Sequence, residues 1–365
     1  MTAGPGALRV VVAGGGVSGL TTAYRLLKAA RTGDGRPVEV TLLESRDRLG
    51  GNIRTERHEG FVIDGGPDAW VTAKPHASSL ARELGLGGRL IGTTPENRRV
   101  LVLDRGTVHP FPEGMLLTVP TQVLPFLKTG LLSMPAKARA GLDLLLPRRD
   151  TDTDESIASF VRRRFGEEVL RKIGAPLLGG VFAGDVEALS IRSTFPQLVE
   201  LEKKHRSLVL GARMEMRHRV AARRGKGGTA PSVFHSFPGG LAEFVEALAK
   251  AVQEGGARVE TGVRVVRVER VEQAGYLVHI VGADGPSALQ TDAVVLAIPG
   301  YAAADALREL DRDMASDLRN VPYVSSVVVG LAYSKADIAH RLDATGIITT
   351  DKHEQPIMAV TFLSS

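Results

Sequence analysis

The first part of the chain alternates between apolar runs and a helical pattern of apolar positions. Leu8–Ala13 is an apolar, β-branched run, Leu20–Ala30 repeats apolar residues at helical spacing, and Val38–Leu43 is a second apolar run. Buried strands read as continuous apolar runs, whereas a surface helix repeats its apolar residues with the period of the helix. The pattern therefore predicts a strand, a helix and a second strand, joined as the opening of a Rossmann-type fold.

Two later regions follow different patterns. Residues 115–146 are apolar but are interrupted by prolines, which predicts short amphipathic helices. After Asp154, apolar residues recur at helical spacing opposite a charged face, and they are Ile157, Phe160, Val161, Phe165, Val169 and Ile173. From residue 235 onward, one helix is followed by several strands with hairpin spacing. A β-rich segment that returns after a helical region predicts a discontinuous domain organisation.

Composition narrows the class of protein. The 365 residues are 43% hydrophobic and 24% charged, which is typical of a globular protein with two or three domains. The absence of cysteine excludes disulfides, thiolate metal sites and cysteine nucleophiles, and it fits a reducing, cytoplasmic compartment. The sequence has no metal-binding spacing of histidines, no secretory leader, and no apolar run of the roughly 18 residues that would span a membrane.

The net charge of +5 indicates an acidic partner, such as an anionic substrate, anionic lipid or nucleic acid. The basic run Arg213–Lys226 has no interleaved aromatic residues, and aromatic residues make up only 5% of the chain. Single-stranded nucleic acids are bound by stacking on aromatic side chains. We therefore exclude nucleic acid as a partner and interpret the run as a solvated face.

The turn after the first strand carries a glycine pattern that predicts dinucleotide binding. Gly14, Gly16 and Gly19 follow a strand and open a helix, so that the N-terminus of the helix faces the pyrophosphate. Glu44 ends the second strand, where an acidic side chain accepts hydrogen bonds from the adenosine ribose. The residues expected in this half of the site are Gly14, Gly15, Gly16, Val17, Ser18, Gly19, Glu44 and Ser45.

The loop after Glu44 distinguishes between dinucleotides. Arg48, Gly50 and Gly51 supply a second basic and glycine-rich approach to the pyrophosphate. A nicotinamide cofactor has to leave and does not need this second clamp, whereas a retained flavin does. The segment resembles the amine-oxidase-like FAD superfamily, in which R-x-G-G follows the ribose acid. The resemblance implies FAD as cofactor and adds the contacts Arg48, Gly50, Gly51, Asn52, Gly65, Gly66, Pro67, Asp68, Val265, Ala297 and Pro299.

The segment from Gly179 to Ala212 is the most specific part of the sequence. It reads GGVFAGDVEALSIRSTFPQLVELEKKHRSLVLGA and resembles a block of the oxygen-dependent protoporphyrinogen and coproporphyrinogen oxidases. The resemblance implies FAD-dependent, six-electron oxidation of protoporphyrinogen IX in haem biosynthesis, with O2 as acceptor and H2O2 as product. It also implies that Arg98 or Arg99 binds a propionate of the porphyrinogen, and that Gly180 leaves room for the flat macrocycle. No residue is predicted to act as a general acid or base.

The resemblance extends the predicted fold class, which is α/β plus α+β. We expect a Rossmann-type FAD-binding domain (1–57 and 235–300), a mixed substrate-binding domain (58–97, 205–234 and 301–365) and a helical, membrane-binding insert (98–204). Such an insert attaches a protein peripherally to the cytoplasmic side of a membrane. A solvent-covered helical bundle is the alternative for these residues, and a homodimer is an assembly that we keep open.

Three alternatives to this function stay open. Coproporphyrinogen III is the second candidate substrate, and another amine-oxidase-like flavin enzyme, such as an amine oxidase or a carotenoid desaturase, is the second candidate class. The third is a non-catalytic FAD-binding fragment, because the resemblance implies a further glycine-rich segment beyond the position of Ser365 that holds the flavin. A chain that ends at Ser365 is expected to bind FAD weakly and to oxidise slowly.

Overall fold

A computed structural model describes residues 6–32, 36–94, 97–150, 153–180, 184–223, 232–272, 275–350 and 357–364. The chain divides into two compact units, each built from separate stretches of sequence. Unit 1 comprises residues 1–92, 233–323 and 327–332, and unit 2 comprises residues 93–232, 324–326 and 333–365. The predicted α/β and α+β class is confirmed. The finer division into cofactor, substrate and insert domains stays a prediction.

The described residues form strands and helices in both units. The strands are β1 Leu8–Ala13, β2 Val38–Glu44, β3 Thr55–His58, β4 Phe61–Asp64, β5 Trp70–Val71, β6 Ile91–Gly92, β7 Val100–Asp104, β8 Thr107–Pro110, β9 Met115–Leu116, β10 Val119–Pro120, β11 Phe234–Ser236, β12 Arg258–Thr261, β13 Arg264–Val271, β14 Gly275–Gly282, β15 Gly285–Thr291, β16 Ala293–Leu296, β17 Gly346–Thr349 and β18 Ala359–Thr361. The α-helices are α1 Val17–Thr32, α2 His76–Glu83, α3 Val123–Lys128, α4 Met134–Gly141, α5 Ile157–Phe165, α6 Glu167–Val169, α7 Ile191–Thr194, α8 Pro196–His205, α9 Leu208–Arg223, α10 Ala242–Glu254, α11 Gly300–Leu307 and α12 Arg312–Arg319. Short 3₁₀ helices span Gly87–Arg89, Leu142–Leu144 and Lys335–Asp337, and a π-helix spans Leu170–Gly179.

Unit 1 is organised around a four-stranded parallel sheet in the order β12-β2-β1-β16. Val10 of β1 pairs with Val40 of β2 on one side and with Ala293 of β16 on the other. Helix α1 connects β1 to β2, and it packs with α10 into one apolar core. The predicted strand–helix–strand opening is confirmed. The carboxyl ends of β1, β2 and β16 meet at one edge of the sheet, where a doubly wound fold binds its ligand.

The strands predicted after α10 are present in unit 1, but among them hairpin pairing is confirmed only for β13 and β14, because β12 and β16 join the parallel sheet. Strands β13, β14 and β15 form an antiparallel meander in chain order. A register shift between Val265 and Arg267 interrupts the pairing of β13 with β14. Such a bulge bends a strand and increases its twist.

Unit 2 has a helical core in which all six residues predicted for the apolar face after Asp154 are buried. Helix α5 begins after Ser156, whose hydroxyl accepts a hydrogen bond from the amide of Ser159. It ends at Phe165, and the next residue, Gly166, has φ of +94°, a conformation that favours glycine. The apolar face then continues through α6 and the π-helix Leu170–Gly179.

The prediction of short helices over 115–146 is correct for part of this stretch and wrong for residues 115–120. Helices α3 and α4 carry Pro125 and Pro135 in their first turns, where a missing backbone N–H does no harm. Residues 115–120 instead form an antiparallel hairpin of β9 and β10, with Pro120 paired to Met115. Leu117 in its turn has φ of +54°. The apolar pattern of so short a segment does not distinguish a strand from a helix.

Candidate functional site

Close backbone contacts hold the turn between β1 and α1. Gly14 has φ of +107°, and a Cβ built there would lie 2.4 Å from the carbonyl oxygen of Ala297. A Cβ built at Gly19 would lie 1.8 Å from the carbonyl oxygen of Gly14. Neither position tolerates a side chain, as a tight turn and close packing of helix on strand require.

Gly16 and Gly51 face each other from the two glycine loops. A Cβ built at Gly51 would lie 3.2 Å from the Cα of Gly16. A Cβ built at Gly16 would meet only the Cα of Gly51 within 4 Å, at 3.8 Å, so the remaining space beside Gly16 is open. Helix α1 begins here at Val17 and has no acidic residue in its first turn. Because the first N–H groups of a helix lack partners within the helix, the space beside Gly16, Val17 and Ser18 suits an anion.

Glu44 is buried at the end of β2, and its carboxylate organises the surrounding backbone. Oε2 accepts a hydrogen bond from the amide of Gly15 at 2.7 Å, and Oε1 accepts one from the amide of Arg46 at 2.8 Å. The hydroxyl of Ser45 donates to the same Oε1 at 3.3 Å. Since each carboxylate oxygen accepts more than one hydrogen bond, Glu44 can hold the turn and still accept one from a ribose. The sequence predicted the second of these functions and missed the first.

Arg48 closes the second glycine loop on itself. Its Nη1 donates to the carbonyl oxygen of Ile53 at 3.0 Å, and its Nη2 donates to that of Gly51 at 2.9 Å. The amide of Gly50 donates to the carbonyl oxygen of Gly15 at 2.8 Å, so this loop lies directly against the first turn. The structure therefore brings the two predicted glycine loops together. Contact of the Arg48 guanidinium with a phosphate stays a prediction.

The segment Gly65–Asp68 packs on the second glycine loop. A Cβ built at Gly66 would lie 2.1 Å from the carbonyl oxygen of Asn52, so the two backbones are in direct contact. Burial raises the pKa of the Asp68 carboxyl above its usual range, and the negative charge of Asp64 acts in the same direction. Gly65 and Gly66 thus lie beside the loop that holds Asn52, and contact of Gly65, Gly66, Pro67 and Asp68 with the cofactor stays a prediction.

Asp64 and Thr55 anchor this segment, and neither was among the predicted site residues. The carboxylate of Asp64 accepts hydrogen bonds from the hydroxyl of Thr55 and, at 3.1 Å, from the amide of Leu241. The hydroxyl oxygen of Thr55 accepts one from the amide of Ala242 at 2.9 Å. Together they satisfy the first N–H groups of α10. The sequence could have indicated that α10 needs a cap from elsewhere in the chain, because the F-P-G-G-L sequence before this helix holds no capping side chain of its own.

The remaining predicted cofactor residues lie around the same edge of the sheet. Ala297 extends β16, with its amide donating to the last carbonyl of β1 at 2.8 Å. Pro299 follows and precedes the first residue of α11. The amide of Val263 donates to the carbonyl oxygen of Glu44 at 2.9 Å, which brings the start of β13, and with it Val265, to the end of β2.

The predicted substrate residues lie in unit 2. Arg99 pairs with Asp343, with Nη2 and Oδ2 2.5 Å apart, and its neighbour Arg98 is half-buried. Gly180 follows the π-helix, and a Cβ built there would meet nothing within 4 Å. Packing among the described residues therefore does not explain a glycine at this position. The next residues of the block, 181–183, lie outside the described residues.

The H-R-S part of the specific block forms the connection between α8 and α9, in which Ser207 is buried and Arg206 is exposed. Arg206 has φ of +61°, and its carbonyl oxygen accepts a hydrogen bond from Arg164 at 2.5 Å. Arg164 also pairs with Asp143 at 2.5 Å, and both side chains are fully buried. Asp143 in turn accepts hydrogen bonds from the hydroxyl of Ser207 at 2.7 Å and the amide of Val209 at 3.0 Å. This motif packs helices together, a role that the sequence pattern did not predict.

The chain is similar to proteins of known name along most of its length. It is 33% identical to a coproporphyrinogen III oxidase of Bacillus subtilis over 98% of this chain and 73% of that protein. It is 30% identical to the chloroplastic protoporphyrinogen oxidase 1 of Arabidopsis thaliana over 90% of this chain and 59% of that protein. The chain thus spans between about three fifths and three quarters of the length of these relatives.

A solved structure agrees with the same assignment. A protein from Exiguobacterium, named as a candidate protoporphyrinogen oxidase, superposes with a TM-score of 0.76 at 26% identity, covering 98% of this chain and 73% of its own. In the part of the chain that the structure describes, we find no helix with the length and apolarity needed to cross a bilayer. Residues 17–359 match the family described as flavin containing amine oxidoreductase. The chain therefore belongs to the flavin containing amine oxidoreductase family, and it uses a flavin.

Proposed function

We propose that the protein is an FAD-dependent oxidase that converts a porphyrinogen to the porphyrin, with O2 as acceptor and H2O2 as the second product. The observation that carries the proposal is the identity of 33%, along 98% of the chain, to the coproporphyrinogen III oxidase of Bacillus subtilis. The activity of the whole protein is inferred from that relative, since the chain covers 73% of its length.

FAD is the flavin that best fits the residues at the edge of the parallel sheet. The open space beside Gly16 and Gly51 suits a pyrophosphate, because it lies at the start of α1, whose first N–H groups lack partners within the helix. Glu44 would accept from the adenosine ribose, and the backbone near Val265 would meet the adenine. A flavin mononucleotide has no adenosine and would leave Glu44 and Val265 without a ligand.

The chain's own residues bind and orient the reactants in this mechanism. A bound flavin supplies the redox chemistry, since it takes up two electrons with hydrogen from the substrate and returns them to O2. The conversion removes six hydrogen atoms from the porphyrinogen, so that three O2 become three H2O2. Holding the substrate in a dry site in one orientation is the contribution of the protein. We assign no general base.

The propionates of the substrate require cations, and Arg98 and Arg99 are the residues we propose to bind them. A guanidinium carries five N–H donors, so Arg99 can bind a propionate while it keeps Asp343 as a partner. We propose that Gly180 contributes backbone contact to the flat macrocycle, and a Cβ built there meets nothing within 4 Å among the described residues. Either arginine would neutralise the charge that a macrocycle brings into its site.

Protoporphyrinogen IX is the substrate predicted from the sequence, and coproporphyrinogen III is the second candidate. The second is favoured by the name of the Bacillus subtilis relative and by that of a relative from Propionibacterium freudenreichii at 34% identity. The first is favoured by the plant relatives at 30% and 32% identity. Both substrates therefore belong in the assay.

We also propose that α3, α4 and the 3₁₀ helix Leu142–Leu144 form a membrane-contacting surface. These elements and the residue that follows them carry exposed apolar side chains, namely Val123, Leu124, Leu127, Met134, Leu142, Leu144 and Leu145. Lys128 ends α3 and supplies a cation next to them. An amphipathic surface of this kind inserts its apolar side chains between lipids and places its cations near lipid phosphates.

The proposed function is tested by purifying the protein, titrating it with FAD, and adding each porphyrinogen under air. We expect the FAD-loaded protein to be yellow, to produce fluorescent porphyrin and to consume one O2 for each H2O2 formed. Faster turnover of coproporphyrinogen III would select the second candidate substrate. Protein that binds FAD but oxidises an amine and neither porphyrinogen would contradict the proposed substrate class, and protein that binds no FAD would contradict the proposed cofactor.

A further inference from the structure

Helices α11 and α12 form a hairpin directly after β16, at the edge of the parallel sheet. Asp305 of α11 pairs with Arg308 at 2.9 Å and with Arg319, the last residue of α12, at 2.5 Å. Asp311 begins α12 by accepting a hydrogen bond from the amide of Met314 at 2.9 Å. Of these contacts the Asp305–Arg319 pair joins the two helices, so the end of α12 lies beside α11.

The chain that leaves α12 reaches the start of α11 with Tyr323. The hydroxyl oxygen of Tyr323 accepts a hydrogen bond from the amide of Gly300 at 2.5 Å. Gly300 is the first residue of α11, and Pro299 before it offers no side chain that could cap the helix. The first N–H groups of a helix need partners from outside the helix. Tyr323 therefore supplies this cap from the far end of the hairpin.

The segment that Tyr323 holds packs on the first glycine loop. The carbonyl oxygen of Ala297 would lie 2.4 Å from a Cβ at Gly14, and Cγ2 of Ile298 would lie 3.1 Å from it. A Cβ at Gly19 would lie 3.4 Å from the Cβ of Ala297. Ala297 and Ile298 thus contact the turn that precedes α1, and Gly300 follows two residues later; we call the segment Ala297–Gly300 the wall of this turn. A shift of this wall changes the position of the turn, because no side chain at Gly14 separates the two.

We propose that Tyr323 is a positioning residue for the flavin dinucleotide, acting through Gly300 and the wall Ala297–Gly300 on the turn Gly14–Gly19. The inference rests on the proposed function, since it takes FAD as the ligand of that turn. The hydroxyl group orders the wall before the ligand arrives, so less ordering remains to be done when the ligand binds. Loss of the hydroxyl should then weaken FAD binding, although the hydroxyl bonds Gly300, which is not among the predicted cofactor contacts.

Tyr301 provides a matched control on the same surface. Its ring packs edge-on against that of Tyr323, with centroids 5.2 Å apart and an interplanar angle of 77°. Both tyrosines are 55% exposed. Among the described residues only the hydroxyl of Tyr323 bonds the amide of Gly300. Removal of either hydroxyl leaves the ring packing in place, so the two variants differ in the hydrogen bond alone.

The experiment compares the wild-type protein with Tyr323→Phe and Tyr301→Phe. The Kd for FAD is measured from the quenching of flavin fluorescence, and the Tm and the exchange of the Gly300 amide are measured on the FAD-free proteins. We expect Tyr323→Phe to raise the Kd about fivefold, the effect of one hydrogen bond, and to speed exchange at Gly300. Tyr301→Phe should leave both quantities at their wild-type values.

Three results would overturn the inference. A Tyr323→Phe variant with a lower Tm but the wild-type Kd would show that the hydroxyl only stabilises the hairpin. An equal rise of the Kd in both variants would assign the effect to ring packing. Wild-type protein that binds no FAD would overturn the proposed cofactor as well. The first two results, in contrast, would overturn the role of Tyr323 and leave the proposed function in place.

Discussion

At the residue scale, the fold requires glycine at Gly14 and Gly19 but not at Gly16, where only the proposed ligand does. A methyl group at Gly14 or Gly19 would collide with backbone, whereas one at Gly16 would meet only the Cα of Gly51 at an ordinary contact distance of 3.8 Å. We therefore expect Gly16→Ala to fold with a Tm close to that of the wild type. Because the methyl group fills space proposed for the pyrophosphate, it should raise the Kd for FAD at least about tenfold (roughly 1.4 kcal/mol).

Gly88 is the control for the Gly16 prediction. A Cβ built at Gly88 also meets nothing that would hinder it, and this glycine belongs to the 3₁₀ helix Gly87–Arg89, away from both glycine loops in sequence. Gly88→Ala should leave both the Tm and the Kd unchanged. A Gly16→Ala protein with wild-type affinity would mean that the ligand does not use this space.

Arg164 carries the second prediction at this scale. Its pair with Asp143 is fully buried, and removal of one partner leaves the other charge in the core without compensation. Arg164→Ala should lower the free energy of unfolding by about 3–5 kcal/mol in chemical denaturation. Arg162 is the control, since its pairs with Glu167 and Glu187 lie at the surface and should be worth about 0–1 kcal/mol. Equal losses in the two variants would contradict the assignment of the stability to the buried pair.

Single residues also define what the sequence could predict about the site. The positions of Gly14, Gly19 and Glu44 follow from a local pattern, since a strand, a turn and a helix in sequence order bring them together. Thr55, Asp64 and Tyr323 act through partners distant in sequence, namely the starts of α10 and α11. A local pattern of apolar and polar residues cannot predict hydrogen bonds between residues so far apart in the sequence. These residues emerge only when each exposed N–H group at a helix start is matched with its acceptor.

At the scale of elements, prediction succeeded where the pattern was long and failed where it was short. Helix α1 and strands β1 and β2 each bury several side chains, so each shows a long run or a full helical repeat of apolar residues in the sequence. The hairpin of β9 and β10 has two residues in each strand, and its apolar residues were assigned to a helix. The break at Gly166 was likewise hidden, because the apolar face continues on both sides of it.

The contact of α1 with α2 provides a prediction about pH. Glu83 of α2 accepts hydrogen bonds from Lys28 at 2.5 Å and from Tyr24 and Arg25 at 2.9 Å. These donors, Lys28 first, lower the pKa of Glu83 to about 2. A carboxyl whose pKa is lowered by folding stabilises the folded state at pH values above its pKa in the unfolded chain, which is near 4.5. This contribution is lost as the pH falls toward 2.

We therefore expect the stability difference between the wild type and Glu83→Gln to depend on pH. Because the donors are half exposed to solvent, the difference should be about 1 kcal/mol at neutral pH and should shrink below pH 4.5. Urea denaturation at a series of pH values measures it. Glu246→Gln is the control, since Glu246 meets Arg57 only in a long, exposed pair at 3.4 Å. A difference for Glu83→Gln that is constant across the acid range would contradict the role of the charge.

At the scale of the whole molecule, the sequence predicted a discontinuous chain because β-rich sequence returns after a helical region. Each of the two units is indeed assembled from separate stretches. The two compact units do not by themselves give the boundaries of functional domains. The sequence predicts three such domains, and one compact unit can contain parts of more than one of them. The family assignment did not depend on those boundaries, because the match runs over residues 17–359.

The proposed membrane surface of unit 2 leads to a prediction about the whole molecule. Leu124 and Leu145 are 61% and 73% exposed, and burial of such side chains in lipid contributes about 25 cal/mol per Å² of apolar area. The protein should therefore cosediment with vesicles that contain anionic phospholipid, and Leu124→Glu combined with Leu145→Glu should abolish this binding. Val327→Glu is the control, because Val327 is 87% exposed in unit 1 and lies outside the proposed surface. Wild-type protein that stays in the supernatant, or equal losses in the control and the double variant, would show that these helices face solvent, as in the alternative of a solvent-covered bundle.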